Sequence, residues 1–226
     1  MARGGVNPYM KYGEIVRIPK HTPVRNSVAG QQSNRVYILI EGICSLSTFA
    51  ENGNESVVLY FRPGDFVGYS PLLQGQMGIP RVSQDFLTGL STFTKTDCKL
   101  ARISGGTFME LRKQPEFNEM LMGSIFRHYT EVIKLQRIRA GKSAAAAVAS
   151  FVLYHAEENE NGSAVLSSFF TSAEISKSLD LHPVSTGRVV SALIKEGALS
   201  RVGRQLEVRN YSLMVDVAND EITLKY

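Results

Sequence analysis

Cysteine is scarce in this chain. Its 226 residues hold two, Cys44 and Cys98. That excludes the multi-disulfide framework of small secreted domains and falls short of the four thiolates an iron–sulfur cluster takes. Both fall in expected strands, where a buried, inert thiol is the ordinary outcome. Histidine is sparse as well: His21, His128, His155 and His182 are scattered, and sequence spacing does not suggest that they converge on a metal. Only His21 precedes the helical half, whereas a metalloenzyme built on a double-sheet roll would carry two or three histidines on its strands. No metal, no cofactor and no catalytic residue is expected, and the chain is not read as an enzyme. Long apolar runs are missing too. The most apolar stretch, Ala144–Tyr154, is too short to span a bilayer, and the opening MARGGVNPYMKYGE lacks the apolar core of a secretory signal. A cytoplasmic protein without a membrane partner is the expectation. There is no internal repeat and no low-complexity tract.

What is present is the balance of a folded globular chain, 43% hydrophobic and 20% charged, long enough for one large or two modest domains. The net charge of +4 and a pI near 9.1 permit an anionic partner without demanding one.

From Gly13 to about Ile103 the pattern is one of short strands and glycine-marked turns. Glu14–Ile18, Arg35–Glu41, Ile43–Phe49, Ser56–Phe61, Phe86–Phe93 and Lys99–Ile103 are rich in β-branched and aromatic residues. Glu41-Gly42, Asn52-Gly53 and Pro63-Gly64-Asp65 punctuate them. Many short strands at close intervals predict an antiparallel double-sheet roll. The period then changes. Ser104 caps a short helix, and Pro115 opens a long one running to about Arg139. Along it Met122, Ile125, Tyr129 and Val132 recur at 3-4-3 spacing, with Leu135 and Ile138 continuing nearby. That seam suits a paired helix and hence a homodimer, or else packing on the chain's own roll. Ala140-Gly141-Lys142 breaks the helix. The expected division is a roll over 1–114, a long helix and hinge over 115–140, and a helical domain over 141–226.

The last domain opens with an alanine-rich helix from Lys142 or Ser143 to Glu157, a turn at Glu158–Ser163 and a strand at Val165–Phe169. Thr171 with Glu174 three residues on is a capping box. The helix it opens has a small apolar face of Ala173, Ile175, Ser176 and Leu179. Pro183 starts a second helix, Val189, Val190, Leu193 and Ile194 give it a buried stripe, and Gly197 closes it. Leu199–Arg201 and Gln205–Val208 flank a glycine turn, and Tyr211–Ala218 can form one more helix. Helix, tight turn, helix and basic hairpin make a winged helix-turn-helix. The outer face at the start of the second helix, Ser185, Thr186, Gly187 and Arg188, is small, polar and basic, and Ser185, Thr186 and Arg188, with Val184 before them, are the candidates for reading bases. Thr171, Lys177, Arg201 and Arg204 are candidates for phosphate contact.

This order of parts resembles the Crp/Fnr family of bacterial transcription regulators. The resemblance covers about residues 13–210. It rests on Val36-Tyr37-Ile38-Leu39-Ile40-Glu41-Gly42, on Arg62-Pro63-Gly64-Asp65-Phe66-Val67-Gly68, on Thr171-x-x-Glu174-Ile175 and on Val184-Ser185-x-x-Arg188 with its wing. It implies an α+β architecture: an N-terminal antiparallel, jelly-roll-like β-roll of the cyclic-nucleotide-binding type, a long dimerisation helix and a C-terminal winged helix-turn-helix. It further implies double-stranded DNA with a palindromic operator, RNA polymerase as a candidate partner, and a signal sensed in the roll. Arg188 and Ser185 match the family's reading positions, whereas Val184 stands where a glutamate is common. The family's cyclic-nucleotide contacts are missing. Gly68 is followed by Tyr69-Ser70-Pro71 with no carboxylate, and Thr88 stands where the phosphate arginine belongs, so cAMP is not the expected ligand. Phe66, Tyr69, Leu72, Leu73 and Arg81 are the candidates for lining a pocket for another small effector, and ordinary core is the alternative for the apolar ones. The rival reading is a small-molecule-binding or enzymatic roll whose helical tail contacts protein rather than DNA.

Overall fold

The run Val36-Tyr37-Ile38-Leu39 is buried on both faces, which places its strand in the interior of a layered sheet rather than at a surface. A computed structural model describes residues 7–24, 35–51, 53–76 and 90–226. The chain divides into two compact units, Met1–Glu131 and Val132–Tyr226.

The first unit is an antiparallel double-sheet roll. One sheet runs β1 (Glu14–Ile18), β7 (Cys98–Ser104), β2 (Arg35–Glu41), β5 (Phe66–Val67). The other runs β4 (Glu55–Phe61), β3 (Cys44–Phe49), β6 (Leu90–Thr94). The expected strands are present to within a residue or two, except that 86–89 lie outside the described residues. The two-residue β5 was not foreseen, because so short a segment has no period. Gly42 turns the chain from β2 to β3 with φ at +95°, and a Cβ there would lie 2.5 Å from the Asp97 carbonyl, so only glycine fits. A short 3₁₀ turn, Pro8–Tyr12, precedes β1, and α1 (Ser70–Gln76) follows β5. Helix α2 (Gly105–Leu111) is capped by Ser104, whose hydroxyl accepts from Thr107 N–H at 3.1 Å.

Helix α3 (Pro115–Arg139) starts in this unit. Its Phe117 ring meets Tyr9, Phe66 and Phe108 at centroid distances of 4.8, 5.4 and 5.6 Å, all edge-on. Ile125 packs against the same core, so it belongs to the roll-facing side and not to the seam assigned to it. Leu135 and Ile138 are buried too. The apolar stripe left exposed is Met122, Phe126, Tyr129 and Ile133, at 61, 69, 61 and 40%, whereas Val132 is only half-buried. The exposed stripe is therefore offset by one residue from the expected seam at two of its four positions.

The second unit is built around α4 (Ala144–His155), which is capped by the Ser143 hydroxyl and buried over most of its length. Its alanines let α7 (Tyr211–Ala218), α5 (Ser172–Leu179) and α6 (Pro183–Lys195) come close on several sides. Helix α4 ends at His155 rather than Glu157, because Glu157–Glu158 form β8 and pair with β9 (Ala164–Leu166). Strand β9 stops at Leu166, where the chain turns with Phe170 N–H donating to the Ser167 carbonyl at 3.0 Å. That turn drops Phe170 onto Phe151 and His155. The hairpin β10 (Leu199–Val202) and β11 (Gln205–Val208) completes a sheet of order β10-β11-β9-β8.

Candidate functional site

Helix α5 begins where the cap predicts. The Thr171 hydroxyl accepts from Glu174 N–H at 3.2 Å. The helix ends at Asp180, a non-glycine residue at φ +54°, where Leu181 N–H donates to the Ser176 carbonyl at 3.0 Å. Arg139 holds that end, with Nε donating to the Ser178 carbonyl at 2.9 Å and Nη1 3.1 Å from Asp180. A cation on exposed helix carbonyls is favourably placed. The inner face of α5 is Glu174, Ile175, Ser176, Ser178 and Leu179. Ala173, expected there, is exposed.

Helix α6 opens at Pro183 behind His182, whose Nδ1 accepts from Val184 N–H at 3.2 Å. It closes in a Schellman arrangement: Gly197 N–H to the Ile194 carbonyl and Ala198 N–H to the Leu193 carbonyl, at 3.0 and 2.9 Å. Val189, Val190, Ala192 and Leu193 are buried. So is Thr186, with no exposed surface, its hydroxyl donating to the His182 carbonyl at 3.3 Å. Thr186 is therefore removed from the outward set, since it sits one residue round the helix from Ser185 and is fully buried. Val184, at 55%, and Arg188 are exposed, and Ser185 is half-buried.

The outward side of α6 borders an open cleft of about 620 Å³, whose walls include Val184, Gly187, Arg188, Lys195, Arg201 and Lys225. Of its ten lining residues four are Lys or Arg and none is Asp or Glu, which makes the cleft suitable for a polyanion. In the wing, Gly203 alone of the two loop residues has positive φ, the pattern of a type II′ turn. It lifts Arg204 clear at the tip. The side chains of Arg188, Arg201 and Arg204 have no hydrogen-bond or ion-pair partner among the described residues. Lys177 lies 3.7 Å from Glu174, and Thr171 is exposed at the start of α5. Lys195 and Lys225 were not anticipated as parts of this surface. Lys195 could have been found four residues on from Ser191 along the outer face, whereas Lys225 is brought in by the tail and has no local signal.

In the roll, one of the proposed pocket residues is fully buried and three are half-buried beside it. Phe66 has no exposed surface, and Tyr69, Leu72 and Leu73 pack against the Phe66–Phe117 cluster. Arg81 lies outside the described residues. The turn instead shows a polar cluster on α3. Asp65 accepts from Arg62 N–H at 2.8 Å and from Arg127 Nη2 at 3.0 Å, and its Oδ1 is 3.5 Å from His128 Nε2. The other ring nitrogen of His128 meets the Tyr69 hydroxyl at 3.1 Å. Burial pushes the Asp65 carboxyl up, but His128, Arg62 N–H and Arg127 together hold it below the usual carboxylate range. Burial, then the Asp65 charge, push the Tyr69 hydroxyl up to about 12. The sequence puts Asp65 in a turn and His128 on the long helix among scattered histidines, and their pairing has no local signal. Among the described residues there is no group of three or more His, Cys, Asp or Glu that could hold a metal ion, and no helix is long and apolar enough to cross a membrane.

Residues 27–114 match the family described as cyclic nucleotide-binding domain. The whole arrangement is similar to solved structures of regulators. A CRP-family transcriptional regulator from Thermus thermophilus is 14% identical, with a TM-score of 0.67, over 93% of this chain and 98% of that one. FixK2 from Bradyrhizobium japonicum is 15% identical, with a TM-score of 0.68, over 91% and 96%. A CooA mutant from Carboxydothermus hydrogenoformans is 13% identical, with a TM-score of 0.72, over 92% and 89%. No curated protein matches the chain by sequence. The chain thus contains a roll of the cyclic-nucleotide-binding class. Roll, long helix and winged helix-turn-helix together have the fold of the Crp/Fnr regulators.

Proposed function

We propose that this chain is a homodimeric, sequence-specific DNA-binding transcription regulator of the Crp/Fnr type, acting in the cytoplasm on a palindromic operator. The observation that carries it is the outward face of α6, where an unpartnered Arg188 stands between Val184 and a basic cleft continuing to Arg201. Arg188 reads a guanine edge with two N–H donors, Val184 touches a thymine methyl, and Ser185 bonds a base or a neighbouring phosphate. Arg201 and Arg204 on the wing, Lys177 and the start of α5 at Thr171 meet phosphates. The exposed stripe Met122, Phe126, Tyr129 and Ile133 suits pairing with a second copy of α3. Gly141, at φ +71°, suits a hinge after that helix. A small-molecule or environmental signal in the roll biases the dimer toward or away from its DNA-competent arrangement. The absence of a carboxylate after Gly68 argues against cAMP as that signal.

The test starts from duplexes selected out of a random library by the purified protein. Arg188→Ala is expected to weaken the best selected palindrome by about 5- to 150-fold and to flatten base preference at one position per half-site. Equal affinity with unchanged preference would remove Arg188 from the reading surface.

A further inference from the structure

The two cysteines sit at corners where the chain passes from one sheet of the roll to the other. Strand β2 ends at Glu41 in one sheet and β3 begins at Cys44 in the other; β6 ends at Thr94 and β7 begins at Cys98, crossing back. The corners are laced together. Lys95 N–H donates to the Ile43 carbonyl at 2.8 Å, and Ile43 N–H donates to the Thr96 hydroxyl at 2.9 Å. This brings residues 54 apart in sequence to a sulfur–sulfur distance of 3.7 Å. A disulfide needs about 2.05 Å, so the sulfurs must close by about 1.7 Å.

The two thiols are not equivalent. Cys44 has no exposed surface, and its hydrogen bond to Cys98 and then burial push it up. The same bond, helped by Thr96, holds the Cys98 thiol down. Above Cys98 lies Gly42, which is only half-buried, and a Cβ there would fall 2.7 Å from the Cys98 sulfur. With no side chain at 42, a thin layer of backbone covers this thiol. Cys98 is itself buried beneath the half-buried Gly42 backbone, so the pair has its lower-pKa thiol one backbone layer down and Cys44 behind it, the order of an attacking and a resolving thiol.

We propose that Cys44 and Cys98 form a peroxide-reactive dithiol that closes to an intramolecular disulfide joining the two sheets of the roll. The Cys98 thiolate attacks one oxygen of a hydroperoxide. The O–O bond breaks, the leaving alkoxide or hydroxide takes a proton, and Cys98 becomes a sulfenic acid. The Cys44 sulfur then attacks the Cys98 sulfur. The S–S bond forms, the S–O bond breaks, and the departing hydroxide leaves as water with the Cys44 proton. Two thiols lose two electrons and two protons, and one hydroperoxide is reduced to an alcohol, or to water when the oxidant is hydrogen peroxide, with one further water released.

These 226 residues hold two cysteines, so within them the product is unambiguous. The reduced protein is treated with hydrogen peroxide, denatured, alkylated without reductant and digested. The expected result is loss of both alkylation sites in a monomeric chain, a peptide pair linked through Cys44 and Cys98, and recovery of both thiols with dithiothreitol. In C44S, Cys98 is expected to accumulate as a sulfenic acid that dimedone traps; in C98S, Cys44 is expected to stay alkylatable. Circular dichroism checks that both variants fold, and the wild-type peptide map decides alone if one does not. Two free thiols after peroxide, or disulfides only between chains, would overturn the proposal. So would faster oxidation of Cys44 in C98S than of Cys98 in C44S.

Discussion

One carboxylate, Asp65, ties the turn after β4 to helix α3. Its two oxygens meet a backbone N–H of the same turn, the guanidinium of Arg127 and the ring of His128. Arg127 is well exposed, so its share is screened by solvent, whereas Asp65 and His128 are both buried. Asp65→Asn keeps the shape but removes the charge, and it is expected to destabilise the protein by about 1–3 kcal/mol in a urea titration. The sign with pH follows from the lowered carboxyl. A group whose folded pKa is depressed contributes fully above its unfolded value, about 3.9 for aspartate, and loses that contribution as pH falls through the lower folded value. Wild type is expected to lose this increment of stability only below about pH 4, and Asp65→Asn to lack that acid limb. An equal pH dependence in both proteins would show that Asp65 is not the group responsible.

At the scale of single elements, α3 presents two adjacent apolar stripes that share Met122 and Tyr129. One continues through Ile125 and Val132, the other through Phe126 and Ile133. Ile125 packs on the roll core while Phe126 and Ile133 stay exposed. Phe126→Glu is therefore expected to break self-association, read by sedimentation equilibrium, with little change in the unfolding midpoint. Ile125→Ala is expected to lose about 2–4 kcal/mol of stability while a dimer still forms. The reverse assignment of effects would return the seam to Ile125 and Val132. Helix ends were legible because caps are local chemistry: Pro115, Ser143, Thr171 and Gly197 each open or close a helix through groups within a few residues. Which stripe faces the roll was not legible, because both fit a helical period and only the packing of Phe117 and Phe66 selects between them. Thr186 was misplaced for a similar reason. Its hydroxyl satisfies itself on the His182 carbonyl, which lets a polar residue occupy an inner position that polarity alone assigns to solvent. The approach of Cys44 to Cys98 and of Asp65 to His128 depends on contacts more than fifty residues apart, beyond the reach of any local pattern.

For the whole molecule, the net charge of +4 is modest, so the proposed affinity for DNA would have to come from where the cations lie rather than from their number. Each copy offers Arg188, Arg201, Arg204, Lys195 and Lys225 on or beside one face of the second unit. The proposed dimer would present them twice, to half-sites about one helical turn apart, roughly 34 Å. Every phosphate neutralised releases condensed counterions, so log affinity falls with log salt at about −0.9 per contact. If Arg201, Arg204 and Lys177 of both copies each meet one phosphate, the slope is about −5. Arg204→Ala at the wing tip removes two such contacts per dimer. It is expected to make the slope shallower by about 2 while leaving base preference intact, whereas Arg188→Ala is expected to alter base preference with a smaller change in slope. The two variants thus separate positioning from reading within one surface. A chain whose helical tail bound protein instead would give a negligible slope for every duplex, and neither substitution would change it.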